Sequence, residues 1–121
     1  MIVIRLIDQD KGEIIAKDLE RADSFWSRFR GLMFRRNFSK DKALLFTFPN
    51  ERKFDIHTFF VFFPIDLVYL NEDFEIIEIE KDVSPFRGYS PEKKARNLVE
   101  FRSGKVDEEN LELGDRLEVI E

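Results

Sequence analysis

Phe54-Asp55-Ile56-His57-Thr58-Phe59-Phe60-Val61-Phe62-Phe63-Pro64-Ile65-Asp66 holds five of the chain's fourteen phenylalanines and its only histidine. Read as an extended strand over 54–63, it sends alternate side chains to opposite faces. Ile56, Phe60 and Phe62 fall on one face, and Phe59, Val61 and Phe63 on the other. Both faces are then apolar, and neither is stable in open water. Either the strand is sandwiched inside a core, or one face meets a ligand or a partner. Pro64 cannot donate to a ladder, so it marks an edge, a bulge or a bend before a further strand over 65–70.

The flanking sequence supplies the rest of a β-rich chain. Ile2–Ile7 reads as a strand, Asp10-Lys11-Gly12 as a tight turn, and Glu13–Leu19 as the returning hairpin partner. Phe25, Phe29, Leu32 and Met33 fall at i, i+4, i+7 and i+8, which predicts an amphipathic helix capped by Asp23 or Ser24, with Trp26 and Arg30 beside its seam. Ala43–Phe48 is a strand ending at the turn signal Pro49-Asn50. Asn71-Glu72-Asp73 turns into Phe74–Ile79, where Ile76-Ile77 breaks the alternation and predicts a bulge. Lys81–Arg96, with Pro85, Gly88 and Pro91, reads as a long loop of the kind that carries function. Asn97–Phe101 is a strand, Val106–Leu111 a short helix, and Leu113-Gly114-Asp115 a turn into a last strand, Arg116–Ile120. The expected fold is mainly β over one domain, 1–121. It is a mostly antiparallel sheet curled into a small barrel or sandwich, with one amphipathic helix packed on it.

Composition narrows the chemistry. With 43% hydrophobic and 14% aromatic residues over 121 positions, the chain has enough apolar surface to build a core. The absence of cysteine removes disulfides, thiolate nucleophiles and cysteine-held zinc or iron–sulfur clusters. Charged residues at 37% resemble a heat-adapted surface. No signal-like start is visible and no apolar run approaches the roughly 20 residues of a membrane span, so a cytoplasmic protein without a membrane partner is expected. A net charge of −5 speaks against nucleic acid as the main partner. The charge is uneven, however. Arg28–Lys42 holds four arginines and two lysines against one acid, while Val106–Glu121 is acidic.

Five separated blocks resemble the domain-of-unknown-function-192 family. Arg30-Gly31-Leu32-Met33-Phe34-Arg35 is similar to its opening signature. Leu45-Phe46-Thr47-Phe48, Pro64-Ile65-Asp66-Leu67-Val68-Tyr69-Leu70, Leu98-Val99-Glu100-Phe101 with Gly104, and Leu113-Gly114-Asp115 follow in family order. The resemblance covers roughly Ala22 to the end. It implies a single compact β-rich domain and brings no assigned activity. Many members resemble Trp-Met-x-Asn-Thr just before the Pro-hydrophobic-Asp block. Here the aligned residues are His57-Thr58-Phe59-Phe60-Val61, so polar contacts from an Asn-Thr pair do not carry over.

Several side chains are candidates for chemistry. His57 is the only imidazole, and Asp55 lies two positions away, where a carboxylate on the same strand face can orient a ring. The pair reads either as a general acid/base or ligand-binding histidine, or as a half-buried histidine satisfied locally. Asp66, with Asp55 or Glu51, reads either as a carboxylate site for acid/base work or a hard cation, or as a bulge residue bonding backbone N–H groups. Phe59, Phe63 and Tyr69 are either the wall of an apolar pocket rimmed by His57, Arg87 and Tyr89, or ordinary core. Arg30 and Arg35 are the centre of a candidate anion site, with Arg28, Arg36, Lys40 and Lys42 beside them and Trp26, Phe34 and Phe38 able to stack; the other reading is a solvated helix face. With one histidine and isolated glycines, neither a metal centre nor a cofactor cradle is expected.

The expected function is a non-catalytic module binding a small molecule or a protein through the aromatic strand and the 81–96 loop. The alternatives are a small hydrolase-like enzyme using His57 with Asp55 or Asp66, and weak nucleic-acid or anion binding through Arg28–Lys42. An exposed phenylalanine face would serve a homo-oligomer equally well.

Overall fold

Runs of Val, Ile, Leu and aromatic residues build ten strands among the residues described by the structure, a computed structural model covering 5–9, 11–22 and 31–121. They are β1 (Arg5–Asp8), β2 (Glu13–Ala16), β3 (Asp18–Arg21), β4 (Lys42–Arg52), β5 (Ile56–His57), β6 (Ile65–Leu70), β7 (Ile76–Val83), β8 (Gly88–Tyr89), β9 (Ala95–Arg102) and β10 (Leu117–Ile120). A short helix, Lys105–Glu108, follows β9. The fold is mainly β. Residues 23–30 of the expected amphipathic helix lie outside the described residues. Of its seam, Leu32 is buried and Met33 packs against the core.

The strands form a five-stranded sheet in the order β3-β4-β9-β6-β7, a three-stranded sheet β10-β1-β2 and a two-stranded ribbon β5-β8. These orders are open, so the described strands make packed sheets rather than a closed barrel. One face of the larger sheet puts Leu45, Val68, Val99 and Phe101 against Leu6 and Ile15 of the smaller one and Val106 of the helix. Its other face carries Leu44, Phe46, Leu67, Tyr69 and Leu98, covered by Leu32, Phe38, Val61 and Phe63. A sheet buried on both sides needs apolar residues at consecutive positions, and β6 is buried throughout.

Several elements differ from the sequence reading. The hairpin partner expected over 13–19 divides at Lys17, because the N–H groups of Lys17 and Asp18 both donate to the carbonyl of Asp41 (2.9 and 3.1 Å). β2 pairs with β1, while β3 leaves to run parallel to β4, the one parallel pairing among the described strands. β4 does not stop at Pro49-Asn50 but continues to Arg52, its pairing with β9 slipping between Thr47 and Arg52 so that the missing proline donor sits outside the ladder. The 81–96 loop contains the end of β7, all of β8 and the start of β9. The expected bulge at Ile76-Ile77 is present, since Tyr69 pairs with Glu78 and Leu70 with Ile76.

The largest correction concerns 54–63. Only Ile56–His57 is strand, and a turn closes at Thr58–Val61, where the N–H of Val61 donates to the carbonyl of Thr58 (3.1 Å). Alternation is lost there. Val61 and Phe63 are buried, while Phe59, Phe60 and Phe62 are all exposed.

Asp66 sits at the joint between sheet and helix. Its Oδ1 accepts from the N–H of Asp82 (2.9 Å), the left-handed residue of a bulge in β7. Its Oδ2 accepts from the N–H groups of Gly104 (3.2 Å) and Val106 (3.0 Å) at the start of the helix. A fully buried carboxylate held by three backbone donors is a structural tie. Asp66→Ala is expected to cost about 3 kcal/mol in urea denaturation, and Asp66→Asn, which keeps one acceptor oxygen, about half of that.

Candidate functional site

Three turns, each with phenylalanine in its third position, meet on the Leu44, Phe46 and Leu98 side of the five-stranded sheet. A turn with φ > 0 at that position ordinarily uses glycine or asparagine, because a Cβ there crowds the backbone. Phe34 is third in Leu32–Arg35, where the N–H of Arg35 donates to the carbonyl of Leu32 (3.3 Å), and has φ 64°. Phe60 is third in Thr58–Val61, with φ 59°. Phe86 follows Pro85 in the bend Ser84–Arg87, with φ 58°. The three rings touch. Phe34 stacks on Phe60 at 5.1 Å between centroids, and Phe60 meets Phe86 edge-on at 5.6 Å.

Backbone bonds clamp the turns together. The N–H of Phe34 donates to the carbonyl of Phe60 (2.8 Å), and that of Phe86 to the carbonyl of Thr58 (2.9 Å). Thr58, fully buried, is the hub. Its N–H donates to the carbonyl of Arg87 (2.7 Å), its hydroxyl donates to the carbonyl of Ser84 (2.7 Å), and its Oγ1 accepts from the N–H of Arg87 (2.8 Å). The rings nonetheless stand in solvent: Phe34, Phe60 and Phe86 are 58, 46 and 48% exposed. Phe59 and Phe62 are exposed beside them, with Phe59 against the ring of His57. Phe74 also has positive φ, at 60°, but its ring packs on the core, which offsets the strain. No burial of that kind offsets it at the three exposed rings.

The side chains singled out from sequence are distributed differently. His57 is exposed, its Nδ1 accepting from the N–H of Phe59 (3.3 Å). Asp55 is exposed, and among the described residues no hydrogen bond or ion pair joins it, Asp66 or Glu51 to His57. The wall expected from Phe59, Phe63 and Tyr69 is divided: Phe63 and Tyr69 are in the core, while Phe59 is outside. The Tyr69 hydroxyl donates to the carbonyl of Phe54 (3.3 Å), and burial pushes its pKa well up. Tyr89 lines a separate open groove of about 390 Å³ with Ile77, Ile79 and Leu113, its hydroxyl donating to Glu78. Arg87 is exposed on the Phe86 bend, its guanidinium donating to the carbonyl of Phe86 (3.4 Å). Arg35 is bonded to Glu20 at 2.5 Å, and Arg30 lies outside the described residues.

One group under this face was not singled out. Glu100, in the centre of β9, is 5% exposed and makes no hydrogen bond or ion pair among the described residues. It lies between Leu44 and Leu67 in the ladder. A methyl group placed on Gly31 (φ 50°) would lie 3.8 Å from Oε1 of Glu100 and 3.5 Å from the ring of Phe46, so the turn bearing Phe34 starts directly above the carboxylate. The available signal was a lone acid inside Leu98-Val99-Glu100-Phe101. Burial pushes its pKa from 4.5 up to about 7, and the nearby Arg35 guanidinium draws it partly back. Between those values the folded protein keeps a proton that the unfolded chain has released. The group's contribution to stability is therefore whole below the unfolded value and is lost as pH rises through the folded one. Going from about pH 5 to about pH 8.5, the wild-type protein is expected to lose roughly 2–3 kcal/mol more stability than Glu100→Gln, as measured by denaturant titration at each pH.

Comparison with known proteins places this geometry in a family. Residues 6–119 match the family model DUF192, described as an uncharacterized ACR. A UPF0127 protein of Thermococcus sibiricus is 34% identical over 115 residues, covering 93% of this chain and 73% of the relative. UPF0127 protein PF1050 of Pyrococcus furiosus is 33% identical over 115 residues, covering 93% and 96%. Both relatives come from thermophilic archaea, in keeping with the charge-rich composition. Among solved structures, a Sinorhizobium meliloti 1021 protein proposed as a transcription regulator is similar at a TM-score of 0.85 and 26% identity, over 96% of this chain and 91% of that one. A Novosphingobium aromaticivorans protein of unknown function shares the fold at a TM-score of 0.81 and 15% identity, over 97% of this chain and 84% of that one. The match over 6–119 and the near full-length relatives agree with the five sequence blocks: the chain belongs to the domain-of-unknown-function-192 family.

Proposed function

We infer that the protein is a non-catalytic binding module, and that its binding surface is the aromatic face of Phe34, Phe60 and Phe86. The observation behind this is three exposed phenylalanines joined through the Phe60 ring, each in a left-handed conformation. Such a conformation costs on the order of 1–3 kcal/mol for a non-glycine residue. An exposed ring pair returns about 0.5–1.5 kcal/mol. The arrangement therefore gains the isolated fold little, and strain kept without a structural return points to recognition.

The occupant we assign is a segment of another protein that is apolar with acidic flanks. Gly31–Arg36, His57–Phe63 and Ser84–Gly88 together carry the exposed Arg36 and Arg87, with Arg35 held by Glu20 beside them, and no aspartate or glutamate of their own. A rim of one sign selects for the opposite sign in the partner. It also opposes pairing with a second copy through the same face, since an isologous contact would set these cations against themselves. The cytoplasmic placement expected from sequence belongs to this reading.

Nucleic acid is the second reading, favoured by the Sinorhizobium meliloti protein proposed as a transcription regulator. The net charge of −5 counts against it. So does the engagement of Arg35 with Glu20, Lys40 with Glu108 and Lys42 with Asp18.

A random peptide display library screened on the whole chain is expected to enrich aromatic or aliphatic residues flanked by Asp and Glu, with the selected peptide shifting the amide signals of Phe34, Phe60 and Phe86. Phe60→Gly relieves the strain while removing the ring, so it should weaken that peptide tenfold or more and change stability by less than about 1 kcal/mol. Phe60→Ala keeps the strain and should cost about 1 kcal/mol. Enrichment without acidic residues, shifts confined to another surface, or unchanged affinity in Phe60→Gly would each refute the assignment.

A further inference from the structure

The register of the large sheet places three carboxylates in one row on the face beneath the aromatic turns. Glu20 on β3 pairs with Leu44 on β4, Leu44 with Glu100 on β9, Glu100 with Leu67 on β6, and Leu67 with Glu80 on β7. Residues directly opposite in a ladder project to the same face. Glu20 and Glu100 are thus two strand spacings apart, roughly 9–10 Å. Arg35 lies over this row. It is bonded to Glu20, with its guanidinium 5.8 Å from the centre of the Phe38 ring, and it is also the cation that acts on Glu100. One arginine thus serves a partly exposed carboxylate at the sheet edge and lies within electrostatic reach of a buried one that makes no hydrogen bond or ion pair among the described residues.

We propose that Arg35 is a two-position residue shared by Glu20 and Glu100. When Glu100 is charged, Arg35 leaves Glu20 for it, moving the Leu32–Arg35 turn and the Phe34 ring with it. This rests on the reading of the aromatic face as the partner surface and gives that surface a proton-linked control. A carboxylate charged inside an apolar face must be neutralised or find a cation, and among the described residues Arg35 is the cation at hand. Among the described residues, the other charged or ionisable groups nearest Glu100 on this face are already placed. Arg102, on the same strand, stands 4.9 Å over the Phe63 ring and donates to the carbonyl of Phe38. Lys42 pairs with Asp18, Tyr69 is held by Phe54, and Glu80 ends the row beyond Leu67. The move hinges on Gly31, just before a turn whose closing hydrogen bond, at 3.3 Å, is long, and it loads the bond from the Phe34 N–H to the carbonyl of Phe60.

Carboxyl-carbon NMR of the uniformly labelled protein, without any partner, tests this. In the wild type, the Glu100 carboxyl and the amides of Gly31, Phe34 and Arg35 should titrate together with a midpoint near 7. Glu20→Gln frees Arg35 and should lower that midpoint by about one pH unit or more. Arg35→Met should raise it, and Glu20→Gln combined with Arg35→Met should lose the fall, which separates Arg35 transfer from simple removal of a negative charge. Turn amides that ignore the Glu100 titration, or a Glu20→Gln midpoint that does not fall, would overturn the proposal. Because no partner is present, that failure leaves the aromatic face standing. Conversely, unchanged peptide affinity in Phe60→Gly alongside the expected titrations would leave Arg35 a proton-linked residue without the surface assigned to it.

Discussion

The pairing of β9 with β4 on one side and β6 on the other is the constraint from which most of the structure follows. Side chains alternate along β9, so its register decides which half of the core each residue joins. Val99 and Phe101 face the smaller sheet, while Leu98 and Glu100 face the turns that carry the exposed rings. A slip of one residue would put Phe101 beneath those turns and move Glu100 to the opposite face. The same register sets Phe101 opposite Asp66, whose carboxylate then meets the helix that follows β9. The site and the helix joint are therefore consequences of a single strand alignment.

What could be read in advance follows from the range of the forces involved. Strands β6, β9 and β10 and the bulge at Ile77 are local patterns of apolar alternation closed by turn residues, and they stand close to where the sequence placed them. The parallel course of β3 depends on the carbonyl of Asp41, more than twenty residues away, and no local pattern carries it. The 54–63 stretch misled for a physical reason. Its alternation is that of a strand, but Thr58 is captured by the backbone of Ser84 and Arg87, and the chain turns there. Phenylalanine in a left-handed position leaves no trace in sequence, since propensity points to glycine or asparagine. The excess of apolar surface on this stretch was legible, whereas its distribution into turns was not.

Glu100 shows the same division. A lone acid inside an apolar strand announces itself, yet the consequence depends on Gly31 and Arg35, which reach it only through the tertiary fold. An aliphatic residue of similar volume would make a more stable sheet above neutral pH, because the burial penalty would disappear. The acid is therefore better accounted for by what it does to its neighbours than by what it adds to the core.

On the proposed reading, the aromatic face also explains why contact rings sit in turns and not on an edge strand. An exposed apolar edge offers unpaired N–H and C=O groups to any other strand and invites indiscriminate pairing. Here the N–H of Thr58 donates to Arg87, that of Phe86 to Thr58 and that of Phe34 to Phe60 across the turns, so these backbone groups are not left free beside the rings. Rings fixed in this way also lose little freedom on meeting a partner, which removes part of the entropic cost of association. Backbone strain in the free protein is the counterpart of that gain. Glycine at 34, 60 or 86 would relax the turns and at once remove the rings, so on the proposed reading the left-handed phenylalanines exchange backbone ease for the presentation of their rings.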